Sequence, residues 1–365
     1  MRRTLRTLVL ALVGALALSS AGTALAAYTT PKLLVTDTPP SVTINYTQDA
    51  ADDPTAKLHF FAPTEYSAAL TQPAGQTIGT VTAQGTAADL GGALLPLTGT
   101  VQVRAASGTY LSGTTQVPIA AAATQCTGTA THTAYWVLIL QAAGQTLELP
   151  VFVDSPAAGP GGTPATAYAA ASIQACLPPP DVPPGTPGRA TFGFKLTKVD
   201  FKVNSIFTGA SSGQPRWRVF ATPYNPGRGT PNQAGSVEAQ SVVGFPRSVT
   251  LRKPAVRAVS GFVTLRISGV ANLPDGAPAT LRLYRGARSA SSASIVLRKS
   301  GTAYSGTLRI RQTTRAQTVF LQTRATVPAG TVACTATFGV QCLAATRAAI
   351  AARSNLVRIV IPRRR

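Results

Sequence analysis

Leu308-Arg309-Ile310-Arg311 alternates apolar residues with arginine, and Leu281-Arg282-Leu283 and Val357-Arg358-Ile359 repeat the alternation. Successive side chains of a strand point to opposite faces, so the pattern predicts strands with an apolar inner face and arginine outside. Seven candidate strands follow one another here, which suits a β-sandwich of about 100 residues. They are Leu251 to Val259, Phe262 to Ser268, Thr280 to Arg285, Ser294 to Arg298, Tyr304 to Arg311, Gln317 to Val327 and Leu356 to Ile361.

Two segments of this region resemble the immunoglobulin-like and fibronectin-type-III-like modules of secreted bacterial proteins. They are Thr318-Val319-Phe320-Leu321-Gln322-Thr323-Arg324 and Ser354-Asn355-Leu356-Val357-Arg358-Ile359-Val360-Ile361. The resemblance implies an immunoglobulin-like sandwich over residues 251–365 that binds a partner or spaces other domains. The sequence departs from the family in two places. Phe320 stands near the family's tyrosine-corner position and has no hydroxyl, and Cys334 and Cys342 do not have the spacing of its core disulfide.

The rest of the chain also predicts strands, which makes the fold class all-β. Short segments rich in β-branched and aromatic residues alternate as half-buried strands do, among them Ser41 to Tyr46, Val101 to Arg104, Ala134 to Gln141 and Thr146 to Val153. Only Leu343 to Arg353, rich in Ala and Arg, has strong helix propensity.

Proline marks the main internal break. Residues 177–188 hold six prolines and two glycines and predict a stiff connector. About three strands follow it, Phe192 to Val203, Arg216 to Tyr224 and Ser236 to Leu251, too few for a core of their own. We therefore expect one β-rich domain over 27–250 and a second over 251–365.

The first 26 residues have the form of a cleavable signal peptide. Arg2, Arg3 and Arg6 precede an uncharged apolar run, and Ala24-Leu25-Ala26 gives the A-x-A pattern for cleavage after Ala26. A membrane anchor is the alternative, but the run is shorter than the roughly 20 residues that span a bilayer. The sequence predicts export by the general secretory route, an extracellular or cell-surface location, and no later membrane span.

Four cysteines follow the predicted cleavage site, and none has a metal-binding spacing. Disulfides suit a secreted chain, and nearness along the sequence favours Cys126 with Cys176 and Cys334 with Cys342 among three possible connectivities. Four free thiols are the alternative.

Charge is divided unevenly along the chain. Residues 27–188 hold 3 basic and 9 acidic side chains, whereas residues 251–365 hold 19 basic and 1 acidic. The strongly positive electrostatic field of residues 251–365 attracts polyanions. The predicted partners are anionic cell-wall polymers or acidic polysaccharide, and nucleic acid is disfavoured because no recognised motif is present.

The contacts with such a polymer are predicted from the strands and the tail: Arg282, Arg285, Arg309, Arg311, Arg324, Arg358, Arg363, Arg364 and Arg365. Arginines spread over all faces would weaken this hypothesis. The alternative is that the charge only keeps the protein soluble.

Catalytic chemistry has little support in the sequence. His59 and His132 have no evident partner nearby, and Gly209-Ala210-Ser211-Ser212-Gly213 lacks the following helix of a nucleophile elbow. No catalytic residue, cofactor or metal is therefore predicted, and the protein is expected not to be an enzyme.

A carbohydrate-active enzyme or accessory module is the alternative function. Asp49, Asp52 and Asp53 could form a weak calcium site, although a solvated turn is favoured. Tyr135-Trp136 and Trp217 are expected in the core, and Trp217 could stack on a sugar if it were exposed.

Overall fold

The computed structural model describes residues 28–209, 214–243, 249–272, 280–285 and 294–364, with 284, 285 and 294 described by their backbone. The predicted signal peptide lies outside these residues. The structure is 58% strand and 7% helix, with several sheets packed together, which confirms the all-β class and a sandwich-like architecture.

Among the described residues, fifteen strands precede residue 244. They are β1 Lys32–Thr38, β2 Ser41–Thr47, β3 Thr55–Ala62, β4 Tyr66–Ala68, β5 Thr77–Ala87, β6 Ala93–Arg104, β7 Thr109–Ser112, β8 Thr115–Pro118, β9 Ala134–Ala142, β10 Gln145–Asp154, β11 Ala171–Cys176, β12 Phe194–Asn204, β13 Phe207–Gly209, β14 Arg216–Pro223 and β15 Val237–Val242. Helix α1 spans Ile119–Thr127, and 3₁₀ turns occupy Ala88–Leu90, Pro160–Gly162, Thr191–Gly193 and Gln233–Gly235.

In the described ranges from 249 onward, twelve more strands follow: β16 Val249–Leu251, β17 Ala255–Val259, β18 Phe262–Ala271, β19 Thr280–Arg285, β20 Ser294–Val296, β21 Arg298–Ser300, β22 Ala303–Arg311, β23 Gln317–Val327, β24 Gly330–Val332, β25 Gln341–Arg347, β26 Ile350–Arg353 and β27 Val357–Ile361.

Thirteen strands form one large sheet, in the order β1-β2-β12-β5-β6-β9-β10-β11-β3-β14-β15-β25-β24. The sheet curls until β1 lies against the strands near its other end. The amide of Val35 donates to Ser241 Oγ at 2.8 Å, and the hydroxyl of Thr346 donates to the carbonyl of Leu33. Curling buries a continuous apolar core that includes Trp136 and Trp217.

The strands expected after the proline connector lie in this large sheet. β12 sits between β2 and β5, and β14 and β15 extend the sheet beyond β3. Their placement fits their small number, since three strands bury too little apolar surface alone.

A smaller two-sheet unit, the C-terminal sandwich, is built from β16 to β23 with β26 and β27. Its first sheet has the order β16-β18-β22-β21 with β17 paired to β18, and its second has the order β20-β19-β23-β26 with β27 paired to β23. Leu265, Leu283, Leu321 and Ile359 point between the sheets. The alternation of apolar and charged residues therefore places arginine on the two outer faces.

The helix expected over Leu343 to Arg353 is wrong, because these residues form β25 and β26. β25 pairs in parallel with β15 of the large sheet, and β26 pairs with β23 of the sandwich. Hydrogen bonding to the edges of β15 and β23 stabilises these residues as strands. This outweighs their helix propensity, because an isolated helix of eleven residues is only marginally stable in water. The chain thus leaves the sandwich after β23, adds the β24–β25 hairpin to the large sheet, and returns.

The helix that does form, α1, was not expected. Its Ala-rich sequence ends at Gly128, whose φ of 83° provides a left-handed C-cap. Ile119 and Ala123 of α1 pack against β9 and β10 on the opposite face from the main core.

Both predicted disulfides are confirmed. Cys126 of α1 bonds to Cys176 of β11, with 5.7 Å between the Cα atoms, and Cys334 bonds to Cys342 across 5.9 Å. The first attaches α1 to the large sheet, and the second closes the β24–β25 hairpin. Disulfides of this kind are compatible with an extracellular protein.

Candidate polyanion-binding surface

Three arginines stand side by side on the outer face of the second sandwich sheet. Arg282 of β19 lies directly opposite Arg324 of β23, and Arg324 lies directly opposite Arg353 of β26. Opposite residues of antiparallel strands share a face, with Cβ atoms about 4.5–5.5 Å apart. We call Arg282, Arg324 and Arg353 the arginine row. Arg282 and Arg353 are exposed and Arg324 is half-buried.

The rest of this outer face mixes one more arginine with apolar side chains. Arg358 of β27 lies opposite Phe320 of β23, and Phe320 is 38% exposed. Val360 and Val296 are also exposed, the latter opposite Arg282. The face therefore offers cations with apolar surface between them.

The outer face of the first sandwich sheet distributes its arginines differently. Thr264 separates Arg257 from Arg309, and Arg266 lies between Ala255 and Thr307. Arg298 lies opposite Ser305 and Arg311 opposite Phe262, whose ring also lies 4.9 Å below the Arg309 guanidinium. Among these described residues, each arginine thus faces an uncharged neighbour across the strands.

A shallow cavity of about 280 Å³ occupies one end of that first sheet. Arg252 and Arg298 line it together with small residues such as Ser268 and Ser305. It is open to solvent, and it adds one cation, Arg252, to those already described on the same face.

Carboxylates are missing from the described part of the sandwich. The one acid between 251 and 365 is Asp275, which lies outside the described residues. The positive field of the described sandwich is therefore not offset by acids of its own.

The structure divides the predicted contact residues between the two faces. Arg282, Arg324 and Arg358 lie on the second sheet, and Arg309 and Arg311 on the first. Arg363 and Arg364 are exposed; the Arg364 amide donates to the carbonyl of Thr313, beside the end of β22. Arg365 and the Arg285 side chain lie outside the described structure. Arg353 was missed because a helix was expected there.

His132 has partners that the sequence did not reveal. Its Nδ1 lies 3.0 Å from both carboxylate oxygens of Asp154, and its Nε2 lies 2.9 Å from Thr127 Oγ1. The β9–β10 hairpin brings Asp154 alongside His132, although the two residues are 22 positions apart in the chain. The Thr127 hydroxyl also donates to the carbonyl of Ala123, within α1. The network joins the end of α1 to the large sheet.

His59 is a core residue. It is 1% exposed, and its ring centroid lies 4.2 Å from that of Phe61. Burial lowers the pKa of His59 well below its ordinary value, and the charge of Lys57 lowers it further. The imidazole is therefore neutral in the folded protein.

The oxygen atoms of the acidic turn around Asp52 accept hydrogen bonds from other groups of the protein. Asp52 accepts hydrogen bonds from the amides of Thr29 and Thr30 at 3.1 and 3.0 Å, and Lys195 Nζ donates to the carbonyl of Ala50 at 2.7 Å. Across the part of the chain that the structure describes, no group of three potential metal-ligating side chains occurs.

The aromatic candidates for sugar stacking are buried. Trp217 and Trp136 are both 0% exposed, and Tyr135 is 6% exposed, which confirms the core placement. Of the G-x-S-x-G segment only Gly209 is described, and residues 210–213 lie outside the structure.

No protein-family model matches the sequence, and no curated protein shows significant similarity to it. In the described ranges, no helix has the length and apolar character to cross a membrane.

Proposed function

We propose that this protein is a non-catalytic extracellular or cell-envelope protein that attaches to anionic polymers through its C-terminal sandwich. The supporting observation is that the described residues of the sandwich carry outward-facing arginines on both sheets and no carboxylate. Guanidinium groups bind phosphate and carboxylate with two parallel hydrogen bonds.

The predicted contacts are spread over both outer faces of the sandwich, which weakens the hypothesis of a single polyanion-binding surface and argues against one compact ligand. A flexible polymer can contact either face or both, so a wall polymer of the teichoic-acid type or an acidic polysaccharide fits this distribution best. Attraction of this kind acts over about 10 Å at 0.1 M salt and weakens as salt rises.

The two-sheet architecture supports the immunoglobulin-like character that the sequence suggests. Such modules bind a partner or space other domains. Export through the predicted signal peptide belongs to the same proposal. The carbohydrate-active alternative loses its best stacking candidate, because the Trp217 ring lies in the core.

Fractionation of producing cells tests the proposal. We expect the protein to remain with the cell envelope at low salt and to be released by a high-salt wash. Equal amounts free in the medium at low salt would overturn the proposal.

A pair of double variants sharpens this test. Arg282→Gln with Arg358→Gln should shift protein into the low-salt medium. Lys202→Gln with Arg228→Gln, which removes the same charge from exposed positions on the large-sheet unit, should leave the distribution unchanged.

A further inference from the structure

The two lysines of residues 251–365 each follow an arginine, in Arg252-Lys253 and Arg298-Lys299. These basic pairs are distant in sequence, but the fold brings them to opposite edges of the first sandwich sheet. Arg252 follows β16 at one edge, and Arg298 begins β21 at the other. Both arginines line the same cavity of about 280 Å³. The fold thus sets a basic pair on each side of one concave surface.

Two serines form the floor of the cavity between these arginines. The Arg252 amide donates to the carbonyl of Ser268 at 3.0 Å. Ser268 lies opposite Ser305 on the next strand, and Ser305 lies opposite Arg298. Residues opposite one another on neighbouring strands share a face of the sheet, so the four side chains form a row on the outer face. The serine side chains are short, which leaves open space above them between the longer arginines.

The polar side chains of this row are available to a ligand. All four are exposed, and within the described ranges none of them makes a side-chain hydrogen bond or an ion pair. Guanidinium N–H groups and serine hydroxyls are hydrogen-bond donors. The row can therefore donate to one anion from two sides and from below.

A phosphate group fits this row better than a carboxylate does. A carboxylate presents two oxygens in one plane, which match a single planar guanidinium. The oxygens of a phosphate are arranged tetrahedrally, so that two arginines and a hydroxyl can bind them from different directions. Val270, Ala303 and Ser300 form the next row along the same strands and also line the cavity. Their small side chains leave room for the carbon atoms on either side of a phosphodiester.

We propose that the cavity between Arg252 and Arg298 binds one phosphodiester group of a polyol-phosphate polymer. The two guanidinium groups bind its charged oxygens, and the hydroxyls of Ser268 and Ser305 donate to it from the floor. The polyol carbons pass over the small side chains of the next row. This inference rests on the proposed function and names its ligand class and one binding site.

Binding of fluorescently labelled poly(glycerol phosphate) to the purified chain, measured by anisotropy in about 0.1 M salt, tests this site. Arg252→Gln with Arg298→Gln should weaken binding by about a hundredfold, since hydrogen bonds to charged groups contribute about tenfold or more each. Ser305→Phe should weaken binding by about tenfold with no change of charge, because the ring fills the space above the floor. Phenylalanine suits an exposed strand position, so this variant should fold. Wild-type affinity in folded Ser305→Phe would overturn the proposed site.

Arg257→Gln with Arg311→Gln is the matched control, because it removes the same charge from the same outer face. Arg257 lies opposite Thr264 and Arg311 opposite Phe262, which precede Ser268 on β18 by about 13 and 20 Å of strand. These distances exceed the screening length of about 10 Å, so the control should lose less than about threefold. Equal losses in the two double variants would overturn the cavity while leaving the proposed function standing. Failure of the wild-type chain to bind any polyanion would overturn both.

Three further probes identify the ligand. Polygalacturonate carries carboxylates, so its binding should fall equally little in the two double variants. If it depends on the cavity and poly(glycerol phosphate) does not, the phosphate assignment is wrong. Phosphatidylglycerol vesicles and single-stranded DNA present phosphodiesters from other sources. Cavity-dependent binding to either of them, with none to poly(glycerol phosphate), would overturn the polyol-phosphate polymer as the ligand.

Discussion

Replacing Glu238 with alanine should destabilise the docking of the β24–β25 hairpin on the large sheet. Glu238 lies on β15 and is 0% exposed. One carboxylate oxygen accepts from the Gln240 side chain at 2.6 Å, and the other accepts from the Thr337 amide at 2.6 Å. Arg218 lies 3.7 Å from the same carboxylate. Removing the carboxylate takes a shared acceptor away from three donor groups.

The magnitude follows from these contacts. Breaking a buried charged pair by deleting one partner costs about 3–5 kcal/mol, because the remaining groups stay desolvated. Glu238→Ala should therefore lower the unfolding free energy by about that amount and Tm by roughly 10 °C. Glu238→Gln keeps the shape and one acceptor and should lose about half as much.

Urea denaturation followed by tryptophan fluorescence measures the loss, since Trp217 lies in the core of the same sheet. Amide exchange gives a local readout, because Thr337 loses its acceptor and should exchange faster in the variant. Glu65→Ala is the control, since Glu65 is an exposed carboxylate. A Glu238→Ala variant whose unfolding free energy stays within about 1 kcal/mol of wild type would refute the reasoning.

Three other perturbations test the large-sheet unit. Replacing Cys126 and Cys176 with alanine should cost about 4 kcal/mol in urea denaturation, since the bond closes a loop of 50 residues; an unchanged midpoint would contradict this. Burial lowers the pKa of Lys57 to about 8. Between pH 8 and about 10.4 the unfolded chain therefore binds more protons at Lys57 than the folded chain does. Because of this difference, Lys57 makes the unfolding free energy rise with pH across that window. Lys57→Met should flatten this rise in thermal melts recorded at a series of pH values. A variant with the wild-type slope would rule out Lys57 as its source. His132→Phe should lower stability by about 2–3 kcal/mol because the Asp154 carboxylate loses a hydrogen-bond donor; thermal melts equal to wild type would show that the network contributes nothing.

The strand pattern of the sandwich could be predicted because the alternation itself carries the information. In Leu308-Arg309-Ile310-Arg311 the apolar residues must avoid water and the arginines must reach it, and only an extended chain satisfies both. The two disulfides were also predictable, since nearness along the chain favoured the pairs that form.

The candidate site was predictable only in part. Arg282, Arg324 and Arg358 were recognised as outward-facing from their own strands. The alignment of Arg282 and Arg324 with Arg353 depends on register between strands that are distant in sequence, and no local pattern records register. The helix expected around Arg353 also concealed it.

The sequence by itself determined the all-β class, the alternation that turns arginine outward, and the uneven charge along the chain, because each depends on local composition and periodicity. Tertiary structure alone decided that β25 joins the large sheet, that Asp154 reaches His132, and that three arginines meet in one row. These depend on which strand edges and side chains lie close in the folded chain, and local sequence does not encode that proximity.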